Sequence, residues 1–302
     1  MELFIIFRES VFPIFLIIVI AVTFDKLFKP DTAQISNLAL YAFAPVFVFD
    51  SLLGHQISFI DFGQPALFML FLTAALLVLG YAVSILLKLR GGEKTSFILA
   101  CSMMNVGNFG LPLIYFAYGE GAIAYSVIFF IVFNIPLTTL AIYLSSDKAS
   151  IREALADIFK IPILYAMLLA LLFCFLEIRL PVFLNKGIEL FSQGTIPLFI
   201  VVAGLQLSNI SLAWAKRFIL VILAGVIIRL IASPLLALPI TNMLGISGVE
   251  QSVAVVQTST PAAILPLIYA IRFKKSPELL ACIIFFTTLI SGITLPGVIH
   301  WI

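Results

Sequence analysis

Charge is what this sequence has least of. Asp, Glu, Lys and Arg make up 11% of its 302 residues, against 63% hydrophobic, and the mean hydropathy is +1.21. Soluble domains carry about 25% charged residues, so this chain cannot cover itself with a polar surface. It reads as an all-α integral membrane protein. Histidine is nearly absent: His55 and His300 stand alone, both near the ends of apolar runs. No zinc-type His/Glu set and no Ser–His pair can be assembled inside a membrane from these. That argues against an enzyme, and the reading includes no catalytic residue, no metal and no cofactor. The three cysteines, Cys101, Cys174 and Cys282, have neither metal-ligand spacing nor a disulfide framework. Each lies in an apolar run, where free Cys packs as a small hydrophobe. The net charge of +2 includes no basic tract with interleaved aromatics, so nothing suggests nucleic acid.

Long apolar runs are abundant. A span needs about 20 mostly apolar residues, and ten are expected, near 4–24, 34–54, 65–87, 95–117, 121–144, 158–177, 186–207, 214–241, 250–271 and 277–300. The first resembles a signal peptide in its Val11–Phe24 core, but no A-x-A site follows it. Connections are short, and the longest polar one is 145–157. Alternate loops carry thirteen Lys or Arg residues and the opposite set three, namely Arg8, Arg179 and Lys186. The positive-inside rule makes the first set cytoplasmic, with both termini outside, linker 145–157 inside and the chain in the cell (inner) membrane.

Two spans are interrupted. Asn105–Tyr115 reads NVGNFGLPLIY, with two amides, two glycines and a proline where a plain span would carry Leu, Ile and Val. Gln257–Tyr269 reads QTSTPAAILPLIY, and LPLIY recurs after 154 residues. Five spans per half is an odd number, so the halves, 1–148 and 149–302, should be inverted repeats. Such repeats place transporter sites at their interface near the midplane. Pro112 removes an N–H and clashes with the Asn108 carbonyl, while Gly107 and Gly110 weaken the same turn. The fourth helix should therefore open, exposing Asn105, Val106, Gly107, Asn108 and Gly110. Pro261 and Pro266 should open the ninth at Gln257, Ser259 and Thr260. The two breaks should cross, and half-helix N-termini there suit an anion.

Asn-Val-Gly-Asn-Phe-Gly-Leu-Pro with a following Gly119, together with TPAAILPLIYA in the ninth span, resembles the auxin efflux carrier family, with likeness over essentially the whole chain. The resemblance implies ten helices of the bile acid–sodium symporter type. Helices 1, 2, 6 and 7 would form a scaffold and helices 3–5 and 8–10 a mobile core. It also implies transport of organic anions such as auxin, malate or malonate, and a substrate site lined by Asn105 and its ninth-helix counterpart, which here is Ser259. The long cytoplasmic loop of plant auxin exporters is absent.

Two ionisable residues sit within spans, where they are costly and point to function. Arg229 is expected to face an anionic substrate or pair with a carboxylate. Asp50 is the candidate for carrying a coupling proton if burial raises its pKa. H+ and Na+ both stay open as coupling ions, the latter near Gln257–Thr260. The expected function is a secondary carrier of small organic anions. A sodium-coupled symporter of bile-acid type, or a non-transporting sensor or channel, is the alternative. The expected partners are the substrate anion, the lipid bilayer and a second copy of the chain held through the scaffold helices.

Overall fold

In hydrocarbon, backbone N–H and C=O groups find no water, so a spanning segment must satisfy them itself. The chain answers with helices. The computed structural model describes residues 1–55, 57–146, 160 and 162–302. Among them, seven helices are long and apolar enough to cross a membrane: α1 (Glu2–Phe28), α2 (Thr32–Gly54), α3 (Phe59–Leu86), α5 (Glu120–Ser145), α7 (Val182–Ser208), α8 (Ile219–Met243) and α10 (Pro277–Trp301). A shorter apolar helix, α6, covers Pro162–Phe175. The two interrupted stretches each yield a pair of short helices. The first pair is α4a (Gly91–Ser102) and α4b (Leu111–Tyr118), and the second is α9a (Gly248–Thr258) and α9b (Leu265–Arg272). From residue 147 on, linker 145–157 lies outside the described residues.

The π turns share a proline position. Among the described residues four π turns occur, at Phe7–Val11, Ala39–Phe43, Val106–Gly110 and Ile228–Ala232. In each case the second residue beyond the turn is proline: Pro13, Pro45, Pro112 and Pro234. A proline ring collides with the carbonyl four residues back and brings no N–H. Widening the preceding turn by one residue relieves both defects and keeps the helix continuous.

Packing follows small residues and aromatic edges. α1 lies against the Thr195–Ser208 part of α7, where a Cβ on Gly204 would be 2.6 Å from the Ala21 methyl and 2.9 Å from the Ile18 carbonyl. α6 lies on α2, with the Phe49 and Phe173 rings edge-on at 5.6 Å. α3 meets α4a at Gly80, whose Cβ position is 3.2 Å from Cys101 Cβ, and meets α5 through Phe68 and Phe129. The outward faces carry Val19, Val78, Leu86, Phe175 and Ile293, all largely exposed. In water these would drive aggregation; in a bilayer they contact lipid tails.

Polar contacts tie the loops at each end. At one end Asp25 accepts from Ser208 at 2.6 Å, Glu93 pairs with Arg217 at 3.5 Å, and the Ser96 hydroxyl donates to the Lys275 carbonyl. The basic loops bearing Lys26, Lys94, Arg217 and Lys275 thus lie together. At the other end Glu2 faces His300 at 3.6 Å, and Gln64 donates to the Leu244 carbonyl at 3.0 Å.

The α1–α7 contact gives a direct prediction. Gly204→Ala should cost about 1–3 kcal/mol through overpacking and lower the melting temperature in detergent. Gly187→Ala, where nothing lies within 4 Å of the new methyl, should be neutral or slightly stabilising. Equal melting temperatures would show that the α1–α7 approach is not tight.

Candidate functional site at the crossed helix ends

α4a ends at Ser102 because Met103 turns extended, with φ −97° and ψ 109°. The chain then runs antiparallel to the strand-like segment that follows α9a. Met104 and Ala262 form the only β-bridge among the described residues. Flanking it, the Asn105 N–H donates to the Pro261 carbonyl and the Ala263 N–H to the Met103 carbonyl, both at 2.8 Å. The Ala262 N–H donates sideways to Thr287 Oγ1 of α10 at 3.2 Å. Pro261 has no N–H to satisfy. The two breaks therefore cross and cover each other's backbone groups, as buried polar groups require.

The glycines permit close approach. A Cβ on Gly107 would stand 2.7 Å from the Phe130 ring, and one on Gly110 2.9 Å from Gln257 Cγ. The Gly110 N–H reaches the Asn105 carbonyl at 2.9 Å, closing the π turn that leads into α4b. Gln257, fully buried, binds the two breaks together. Its amide nitrogen donates to the Val106 and Ser126 carbonyls, each at 3.0 Å, while its Oε1 has no protein partner.

The two breaks are unequal. Asn105 and Asn108 are half-buried, and among the described residues nothing hydrogen-bonds to either side-chain amide. Ser259 and Thr260 are sealed. The Ser259 hydroxyl donates to the Val255 carbonyl at 2.6 Å and the Thr260 hydroxyl to the Gln257 carbonyl at 2.7 Å. Short hydroxyl side chains commonly take a nearby backbone carbonyl in this way. The first break thus offers free donors and acceptors, whereas the second offers backbone and the Gln257 oxygen. Pro112 and Pro266 each occupy the second position of the half-helix that follows its break.

Arg229 is fully buried in the π turn of α8. Its guanidinium donates to the Cys101 carbonyl at 3.1 Å, and also to the Thr258 carbonyl and the Ser233 hydroxyl. Those carbonyls end α4a and α9a. The cation therefore sits on the negative ends of two helix dipoles, while α4b and α9b begin on the other side of the crossing with positive ends.

Asp50 stands apart. It is half-buried and lines two cavities that contain none of the crossing residues. One, of about 850 Å³, lies among the α2–α3 and α6–α7 connections with Glu177 and Arg179. The other, of about 530 Å³, lies between α2, α7 and α4b and contains the carboxylates of Asp50, Glu120 and Glu189 with His55. Among the described residues no group of three or more His, Cys, Asp or Glu could hold a metal.

Ser233 and Thr287 through their hydroxyls, and Ser126 through its carbonyl, hold the crossing from neighbouring helices, and none of the three is singled out by the motifs. Ser233 carried a signal, since it lies four residues after Arg229 on one helical face. Thr287 and Ser126 look like ordinary residues of apolar helices.

Crossed, interrupted helices inside a multi-helix membrane domain are an arrangement found in membrane transporters. The chain belongs to the membrane transport protein family, the auxin efflux carrier family, which it matches over residues 6–299. It is similar to an uncharacterized transporter of Methanocaldococcus jannaschii, 26% identical over 290 residues and covering 92% of this chain and 93% of the relative. An uncharacterized transporter of Methanothermobacter thermautotrophicus is 27% identical over 210 residues, covering 69% of this chain and 68% of the relative. The family and these relatives mark a transporter and not an enzyme.

Removing the Gln257 amide should loosen the crossing. Gln257→Leu removes the bonds to the Val106 and Ser126 carbonyls, and about 0.5–1.5 kcal/mol of stability should be lost for each bond. Thermal unfolding in detergent measures it. An unchanged melting temperature would mean that the amide does not hold the breaks together.

Proposed function

We propose that the protein is a secondary carrier of small organic anions, of the size and charge of malate, malonate or an auxin-like carboxylate. The observation that carries this reading is the pair of amides, Asn105 and Asn108. They are half-buried beside the N-terminal end of α4b and have no side-chain partner among the described residues. Amides can donate to a carboxylate, and the adjoining helix start adds partial positive charge. A polar pair left open in the middle of a membrane domain is costly unless water or a ligand reaches it.

The wider architecture in this reading is ten spans in two inverted five-helix repeats, with α4 and α9 as the crossed pair. α1, α2, α6 and α7 act as the scaffold. The remaining helices move against it as an elevator-type core that carries the site from one side to the other. The α1–α7 and α2–α6 contacts and the aromatic edges between α5 and α7 (Phe130–Phe199, 6.1 Å) are consistent with such a division. The end bearing the basic loops faces the cytoplasm of the cell membrane, and two copies pair through the scaffold. Coupling falls to H+ or Na+. Asp50, beside Glu120 and Glu189 in one cavity, is the residue for a proton.

A thermal-shift screen of organic acids tests the site first, because a ligand that binds the folded carrier raises its apparent stability. A stabilising acid is then used in proteoliposome uptake. Asn105→Ala should reduce uptake by at least tenfold while the protein remains inserted and monodisperse. Full transport by that variant would remove the crossing from the account.

A further inference from the structure

Two helix ends converge on one side chain. Arg229 takes the terminal carbonyls of α4a and α9a, Cys101 O and Thr258 O, and the Ser233 hydroxyl donates to the same Thr258 carbonyl at 3.0 Å. No ion pair involves Arg229 among the described residues. A buried charge without compensation costs several kcal/mol, so these dipoles must supply the compensation. Each helix C-terminus is equivalent to about half a negative charge. Two ends meeting at one point amount to about one, which a single guanidinium balances. In transporters built from discontinuous helices, convergent carbonyl ends of this kind are where a coupling cation can be held. Here the π turn at Ile228–Ala232, set by Pro234, places a covalently attached cation there instead.

We propose that Arg229 is a resident counter-ion that fills the position of a coupling cation at the crossing, so that the crossing binds no alkali cation at any stage of the cycle. Its consequence for transport rests on the carrier reading, since it removes Na+ at the crossing and leaves coupling, where it operates, to groups elsewhere. The binding claim itself does not rest on that reading. Arg229 is here a positioning residue: it holds both half-helix ends and touches no substrate.

The test is cation-dependent stability of the purified protein, without any organic acid. The wild type should melt at the same temperature in NaCl, LiCl and choline chloride of equal ionic strength. Arg229→Ala leaves the Cys101 and Thr258 carbonyls and the Ser233 hydroxyl around a guanidinium-sized space. It should melt lower in choline chloride and recover by about 2–4 °C with millimolar guanidinium or Na+, whereas urea at the same concentration restores nothing. Arg229→Lys keeps the charge and should not respond to Na+. The proposal is overturned if Na+ stabilises the wild type over choline. It is also overturned if Arg229→Ala ignores guanidinium, methylguanidinium and Na+ alike. Should Arg229→Ala not survive extraction, the wild type and Arg229→Lys decide, and a Na+ response in either contradicts the counter-ion. Failure here would leave organic-acid binding at Asn105 untouched, and failure of that binding would leave these melting curves unchanged.

Discussion

A backbone opened inside a membrane domain must find partners in the protein, and the structure around the crossing is arranged by that requirement. Opening one helix would leave several carbonyls and N–H groups in a medium where each unpaired group costs on the order of several kcal/mol. Opening two helices side by side lets each supply part of what the other lacks. The Asn105–Pro261 and Met103–Ala263 bonds make a minimal antiparallel ladder. Thr287, Gln257 and Arg229 then take the groups that this ladder does not reach. Four other helices are committed by these contacts, because Thr287 lies on α10, Arg229 and Ser233 on α8, Ser126 on α5, and the π turn at Val106–Gly110 packs on α7.

The same requirement explains the inequality of the two breaks. Where hydroxyls replace amides, they fold back onto their own helix, so Ser259 and Thr260 close their half of the crossing. Asparagine at 105 and 108 has a longer reach and no such bond. A site that is polar on one side and sealed on the other has a direction. In the proposed cycle it gives the carried anion one set of side-chain amides and one set of helix N–H groups. Arg229 on the opposite face keeps the carbonyl ends from repelling that anion.

Much of the framework was readable from residue order. Apolar runs located the helices, and the Gly and Pro residues at 107–112 and the prolines at 261 and 266 located both breaks. Among the described residues, the basic loops bearing Lys26, Lys94, Arg217 and Lys275 are gathered at one end. The partners of each polar group were less legible, because they lie on other helices more than a hundred residues away in several cases. Arg229 could be recognised as buried but not as the cap of α4a and α9a, since Cys101 and Thr258 contribute only backbone there. Gln257 read as a group open to ligand, whereas its nitrogen is consumed by Val106 and Ser126. Asp50 read as a residue within a span, and its place beside two cavities follows from loop geometry that periodicity does not encode. The π turns were only partly legible: each has a proline at the second residue beyond it, but Pro136, Pro239 and Pro296 lie inside helices with no such turn at that distance before them.

In the proposed cycle the crossing binds a solute and then turns it to the other side. Solute counterflow in proteoliposomes addresses this most directly. The probe is a labelled organic acid that stabilises the purified protein. A carrier with one alternating site should take up label faster, and transiently above equilibrium, when the vesicles are preloaded with the unlabelled acid. Uptake that is indifferent to the internal acid would contradict alternating access and point to a pore through the same helices.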